Sequence, residues 1–191
     1  MSAADRTTTL LALVGSLRRA SHSAAVLRAV AAAAPADVTF DTARLDALPF
    51  YNADLDGDPS PDSVQALRAQ VERCDGILIV TPEYNHGLPA VLKNAIDWAS
   101  RPAYTSALKD KPVGFVTLSP GQFGGIRAQA HLQQLFAATL SRQINAPQVA
   151  IAHVGAKVHD GVLTDPDACR FAQGVVMQLL ALVATQRGAA G

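Results

Sequence analysis

The sequence predicts an α/β fold: a doubly wound, five-stranded parallel sheet in the strand order 2-1-3-4-5. Three observations lead there. Five short apolar runs alternate with five segments of helical apolar spacing, with no internal repeat and no linker. The run Ile77-Leu78-Ile79-Val80 is apolar without interruption, the mark of a strand buried on both faces. Unusual polar loops follow the first, third and fourth runs. Right-handed crossovers and a length of 191 residues favour the doubly wound order, as one domain over residues 1–191.

Thr8-Thr9-Leu10-Leu11-Ala12-Leu13-Val14 is a β-rich apolar run ending at Gly15, the first and central strand. A helix is expected over residues 23–33, with Val26, Leu27 and Val30 inward and Pro35 ending it. Val38-Thr39-Phe40 is a short second strand at or near an edge. Residues 44–61 are polar, with Leu45, Leu48, Pro49, Phe50 and Tyr51 embedded. Packing of that loop onto the body is the favoured reading; a lid or a contact with a second subunit is the other. Residues 61–73 read as a helix with Val64, Leu67 and Val71 inward.

The third strand stops at Pro82, which has no N–H to give a sheet. Pro89 suits the first turn of a helix, and Val91, Leu92, Ala95, Ile96 and Ala99 carry that helix to about residue 100. Residues 113–118 form the fourth strand and residues 126–141 a helix. Val149-Ala150-Ile151 is the fifth strand, and residues 153–164 are polar and turn-rich. Asp165-Pro166 caps a last helix running to about residue 186, and the tail from Arg187 reads as frayed.

Composition narrows the function. The chain is 49% hydrophobic and 17% charged, with 16 basic and 16 acidic residues and zero formal net charge. No basic stripe points to nucleic acid or a membrane surface. The apolar runs read as too short to cross a bilayer. Residues 1–6 are polar and lead into a strand, so no secretory signal is expected and a cytoplasmic location is. The two cysteines, Cys74 and Cys169, read as reduced thiols. The five histidines give no metal-ligand pattern.

The chemistry-bearing residues sit in the three polar loops. In the predicted strand order, the loops after strands one and three meet at the switch point, where open parallel sheets bind ligands. The first loop is Gly15-Ser16-Leu17-Arg18-Arg19-Ala20-Ser21-His22-Ser23 and opens directly into a helix. A helix N-terminus offers free N–H groups to a phosphate. Ser16, Ser21 and Ser23 can add hydroxyl donors and Arg18 a charge-assisted bond. Simple N-capping by serine is the competing reading. The pattern is neither a P-loop nor a dinucleotide glycine fingerprint.

The second loop follows strand three: Pro82-Glu83-Tyr84-Asn85-His86-Gly87-Leu88-Pro89. Glu83 reads either as a catalytic carboxylate or, more simply, as a residue that orients the loop. Tyr84 either stacks on a ligand or packs beside the helix. His86 reads as exposed, and Lys93 with Asp97 as a surface ion pair at i,i+4. The third loop is Ser119-Pro120-Gly121-Gln122-Phe123-Gly124-Gly125. Arg127, just beyond it, suits either a subunit contact or a nicotinamide phosphate. No Ser-His-Asp or Cys-His arrangement is present.

Pro82-Glu83-Tyr84-Asn85 together with Leu92-Lys93-Asn94-Ala95-Ile96-Asp97-Trp98 resembles the flavin segment of the NADPH-dependent FMN reductases. That family has a flavodoxin-like fold and includes quinone, azo-dye and chromate reductases. The first loop resembles the family's phosphate loop, Gly-Ser-x-Arg followed by Ser-x-Asn, with Ser23 in place of the Asn. The resemblance runs from about residue 10 to about residue 140. It implies that Ser16, Arg18, Ser21 and Ser23 hold the FMN phosphate and ribityl chain. Pro82, Glu83, Tyr84, Asn85 and Gly87 would lie along the isoalloxazine, with Ser119 and Gly121 on its other side.

The implied activity is FMN-dependent NAD(P)H oxidation in a ping-pong cycle, with NADPH or NADH as cosubstrate. The acceptor would be a quinone, an azo compound, a metal oxyanion or free flavin. No catalytic side chain is then expected, because the flavin carries the chemistry. The family also implies a homodimer or homotetramer, with the helix bearing Trp98 and the loop at Phe50-Tyr51 as interface elements. Two other classes remain in view. A flavodoxin-like electron carrier would not oxidise NAD(P)H directly, and neutral charge disfavours it. A phosphosugar- or nucleotide-binding transferase without flavin has only the first loop in its favour.

Overall fold

The computed structural model describes residues 7–189. The readings of residues 1–6 as a polar lead and of 190–191 as frayed tail lie outside the described residues. The elements run β1 (Thr8–Val14), α1 (His22–Ala32), β2 (Val38–Thr42), α2 (Asp62–Arg73), β3 (Gly76–Pro82) and α3 (Ala90–Ala99). They continue with β4 (Pro112–Leu118), α4 (Ile126–Ala138), β5 (Arg142–Gln143), β6 (Val149–Ile151), β7 (Val158–His159), β8 (Val162–Leu163) and α5 (Pro166–Ala189).

The main sheet is parallel in the order β2-β1-β3-β4-β5, and β6 also pairs with β4. The predicted order therefore holds, and β2 is the edge strand on its side. β3 and β4 are buried along their whole lengths, which explains their continuous apolar character. Alternate residues divide between two cores. Leu11, Leu13, Ile77, Ile79, Val113 and Phe115 face α2, α3 and α4, whereas Leu10, Ala12, Leu78, Val80, Val116 and Leu118 face α1 and α5.

Several boundaries differ from the sequence reading. The fifth strand is divided: β5 pairs with the start of β4 and β6 with its end, with residues 144–148 between them. β2 continues through Thr42 in register with β1, beyond the apolar residues that marked it. α4 ends at Ala138 rather than near 141: Thr139 N–H returns to Leu135 O, and Leu140 takes φ +60°, which breaks the helix. The turn-rich stretch after β6 contains the antiparallel pair β7–β8.

α5 runs through Ala189, past the expected fraying point, and Arg187 Nη2 lies 2.8 Å from Asp75 Oδ2. At 24 residues α5 also has the length and mean hydropathy of a spanning helix, contrary to the reading that no such run exists. Its apolar face is accounted for inside the fold, because Ala172, Val175, Val176, Leu179 and Val183 are buried against the sheet. Both cysteines are free thiols, and burial pushes the Cys74 pKa up.

The long connection after β2 is pinned to α3. Asn94 Oδ1 accepts from Tyr51 N at 2.8 Å, and Asn94 Nδ2 donates to Pro49 O at 2.9 Å. Trp98 Nε1 donates to the same carbonyl at 2.8 Å, and the Tyr51 and Trp98 rings meet edge-on at 4.8 Å. Trp98 is fully buried, so its side chain belongs to the core rather than to an interface. Phe50, 79% exposed, is the part of this loop that faces outward. Trp98→Ala should therefore destabilise the fold by about 3–5 kcal/mol. Trp98→Phe should cost about 1 kcal/mol, mainly the lost indole hydrogen bond. Urea denaturation would measure both, and equal midpoints for wild type and Trp98→Ala would contradict the packing described.

Candidate flavin site at the β1/β3 switch point

The site begins where β1 and β3 end side by side. Val14 is in register with Val80, and Gly15 N–H continues the pairing by donating to Val80 O at 2.9 Å. A Cβ at Gly15 would collide with Thr81 Oγ1 and Cβ, so only glycine allows this approach. α1 then leaves to one face of the sheet and α3 to the other, with a cleft between their loops. The cleft is about 500 Å³ and is lined by Gly15, Leu17, Arg18, Tyr84, Pro89, Ala90 and Val91.

The first loop brings a cation and a hydroxyl cluster to one end. Arg18 is exposed on the cleft wall. Ser21 is the N-cap of α1, its Oγ accepting from Ala24 N–H at 3.3 Å, so the simple capping role is real for that residue. Ser23 differs. It is 1% exposed and its Oγ has no hydrogen-bond partner, although buried hydroxyls are ordinarily paired. The first-turn N–H groups of α1 likewise have no acceptor within the helix.

The second loop closes as a two-residue turn. Tyr84 N–H donates to Gly87 O at 3.0 Å and Gly87 N–H to Tyr84 O at 2.9 Å. Asn85 and His86 take φ +49° and +63°, the backbone of a type I′ turn. Asn85 thus serves the turn backbone, and Pro82 is buried as the last residue of β3. Tyr84 is 47% exposed and lines the cleft rather than packing into either core. Pro89 is the N-cap of α3, whose first residues, Ala90 and Val91, line the cleft and have no intrahelical acceptor for their N–H groups.

Glu83 points away from the cleft. Its Oε2 accepts N–H groups of Arg127 and Ala128 at 3.0 and 3.1 Å, in the first turn of α4. Its Oε1 lies 3.4 Å from His86 Nδ1 and 3.8 Å from Arg127 Nη1. The carboxylate bonds the second loop to the first turn of α4. His86 is exposed, and Lys93 Nζ meets both Asp97 oxygens at 2.7 Å, as expected. Arg127 also stacks over Phe123 at 5.3 Å.

The third loop lies next to the second. Glu83 N–H donates to Leu118 O at 3.3 Å. Ser119 Oγ donates to Gly121 O at 3.2 Å, and Gly121 O also accepts from His153 N–H at 3.1 Å. Gly124 and Gly125 have φ +60° and +85°, and a Cβ on Gly124 would run into the Ala150 carbonyl.

Of the residues singled out from sequence, only Arg18 and Tyr84 line the cleft. Ser16, Ser21, Ser23, Pro82, Asn85 and Gly87 belong to its two loops, and Ser119 and Gly121 to the neighbouring one. Gly15, Leu17, Pro89, Ala90 and Val91 were missed; their small or apolar side chains carry no chemical signature beyond their adjacency to the motifs. The lining fits an anionic, planar cofactor: one arginine, an aromatic wall, the start of α3 and, among the described lining residues, no carboxylate; the start of α1, with the unpaired Ser23 hydroxyl, follows directly on the first loop. Asn94 and Trp98, part of the same motif, hold the Pro49 carbonyl instead.

Comparison with known proteins agrees. The family model for NADPH-dependent FMN reductase matches residues 8–156. A 2-hydroxy-1,4-benzoquinone reductase from a Burkholderia species is 38% identical, covering 92% of this chain and 96% of the relative. An NAD(P)H-dependent FMN reductase from Pseudomonas aeruginosa is 35% identical over 94% and 97%. A flavoenzyme NAD(P)H:(acceptor) oxidoreductase from Paracoccus denitrificans superposes with a TM-score of 0.83 at 34% identity, covering 93% of this chain and 98% of that one. The chain belongs to the NADPH-dependent FMN reductase family, with the flavodoxin-like fold and FMN and NAD(P)H as its redox partners.

Proposed function

We propose that this NAD(P)H-dependent FMN reductase works as a quinone reductase in two stages at the β1/β3 cleft. NAD(P)H binds first, gives up a hydride and leaves. The acceptor then enters the same opening and is reduced, which makes the cycle ping-pong. For a quinone the sum balances as NAD(P)H, a proton and quinone giving NAD(P)⁺ and hydroquinone. The carrying observation is the cleft itself: the loops after β1 and β3 meet there with Arg18 on the wall, and an unpaired buried serine stands in the first turn of the adjoining α1. The relatives named quinone reductase support the acceptor class.

Bound FMN would supply the two-electron chemistry, taking hydride from one substrate and passing it to the next. The chain's residues hold it. Ser16, Arg18, Ser21 and Ser23, with the α1 N-terminus, receive the phosphate and ribityl chain. Pro82, Glu83, Tyr84, Asn85 and Gly87 face the ring mainly through backbone groups, with the Tyr84 ring on the cleft wall. Ser119 and Gly121 border it from the third loop. Negative charge added by reduction would be met by backbone N–H groups not already spent within the loops; those of Glu83, Tyr84 and Gly87 go to Leu118 O and to the turn itself. No side chain is assigned an acid or base role. NADPH is the preferred reductant in this reading. Azo compounds, metal oxyanions and free flavin are further acceptors that so open a cleft admits.

We also place the chain in a homodimer or homotetramer, supported by the outward-facing Phe50 beside the anchored Tyr51. Light scattering at micromolar concentration should give at least twice the monomer mass. A monodisperse monomer would refute this.

The decisive experiment is a visible spectrum of the purified protein under anaerobic conditions. Flavin absorbance should bleach on NADPH addition and return on adding a benzoquinone. A yellow protein that neither NADPH nor NADH bleaches would instead be an electron carrier. Residue placement is tested separately. Arg18→Ala, which removes a charge-assisted bond worth about 1.5–3 kcal/mol, should weaken FMN binding by about 10- to 100-fold. Ser23→Ala should weaken it less, with the fold retained in both. FMN affinity unchanged in Arg18→Ala would dispose of the phosphate assignment.

A further inference from the structure

α4 lacks the means to cap itself. The residue before its first turn is Gly125, which has no side chain and sits at φ +85°. A Cβ there would also lie 3.1 Å from Thr117 Cβ and 3.2 Å from Leu118 O. The left-handed backbone and the crowding by Thr117 and Leu118 therefore disfavour the side chains that ordinarily serve a helix start, Ser and Thr above all. The cap comes from another loop. Glu83 Oε2 takes the Arg127 and Ala128 N–H groups at 3.0 and 3.1 Å, across more than forty residues of sequence.

The Glu83 side chain is 10% exposed, so this anion is mostly withdrawn from water and held by oriented N–H groups. It is attached to the backbone that turns at once into Tyr84, on the cleft wall. The same residue's N–H is fixed to Leu118 O at 3.3 Å. The second loop is thus tied to the end of β4 by the main chain, and to the first turn of α4 by the side chain, of one residue.

We propose that Glu83 is a positioning residue of the flavin site. By capping α4 in trans it fixes the height and tilt of the second loop, and so the surface offered to the flavin ring. This rests on the placement of the ring against that loop, as proposed above. It deepens that placement by giving the Glu83 side chain a role that does not involve touching FMN. The effect is confined to the ring end of the cofactor, because the phosphate loop belongs to a different helix start.

The distinction between ring and phosphate makes the proposal testable on the apoprotein without turnover. FMN and riboflavin share the ring, and only FMN carries the phosphate. Binding of each is titrated by flavin fluorescence to wild type, Glu83→Ala, Glu83→Gln and Arg18→Ala. Glu83→Ala should weaken FMN and riboflavin by the same factor, about tenfold for an interaction near 1.4 kcal/mol. Glu83→Gln, which keeps one acceptor oxygen, should lie between it and wild type and serves if the alanine variant misfolds. Arg18→Ala should weaken FMN alone. Unchanged binding of both flavins in the Glu83 variants, even with a lowered melting temperature, would reduce Glu83 to a helix cap and overturn the proposal. Loss of FMN affinity with riboflavin unaffected would overturn it too, by moving the effect to the phosphate. A ring placement that is itself wrong shows differently: mutating Tyr84 to Ala would then leave riboflavin binding to the wild-type background unchanged, and the Glu83 inference would fall with it.

Discussion

The pairing of β1 with β3, two strands distant in sequence and adjacent in the sheet, is the constraint from which the site follows. Because β2 lies on one side of β1 and β4 on the far side of β3, the crossovers turn to opposite faces beyond this pair. The chain cannot fill the gap that the diverging loops leave. Gly15 sets its depth: the absence of a side chain lets the first loop leave over Thr81. The two cores serve the same end. Each strand of the pair is anchored on both faces by alternate residues, so the cleft floor is held on rigid elements.

Three helices start along this edge, and their N-termini are not equivalent. α4 is already satisfied by the Glu83 carboxylate. α3 starts at a proline, which offers no capping side chain, and its first turn lines the cleft. α1 is capped only in part by Ser21, with the Ser23 hydroxyl left unpaired inside. An anion entering the cleft therefore finds α1 and α3 available and α4 taken. On the proposed reading, this ordering, more than the count of serines, would separate a phosphate loop from a set of ordinary helix caps.

The fold was legible because the central strands are buried on both faces and so appear as unbroken apolar runs. The doubly wound order followed from alternation and length. What resisted reading was determined across the sheet. β2 extends through polar Asp41 and Thr42 because β1 offers a partner there, not because those residues favour strand. The last strand is divided by the path that residues 144–148 take between its two pieces. α5 was legible to within a few residues of its end, but its spanning length and hydropathy were not, because its apolar residues are spaced along one buried face rather than standing as a run. At the site, the loops were legible and the partners were not. The presence of Glu83 was evident, but its contact with residues 127 and 128 was not. The one local sign was a glycine where α4 needed a cap.

The charge arrangement favours an enzyme over a carrier. A carrier that docks on protein partners gains on-rate from a strongly charged face, and this chain has zero formal net charge. Its cleft has one cation and no carboxylate among the described lining residues, and Glu83 of the second loop is held by two N–H groups with Arg127 close by. Such a pocket raises no electrostatic barrier to a dinucleotide phosphate or to a neutral, electron-poor acceptor. The apolar lining suits a flat, conjugated acceptor, which is the shape of a quinone.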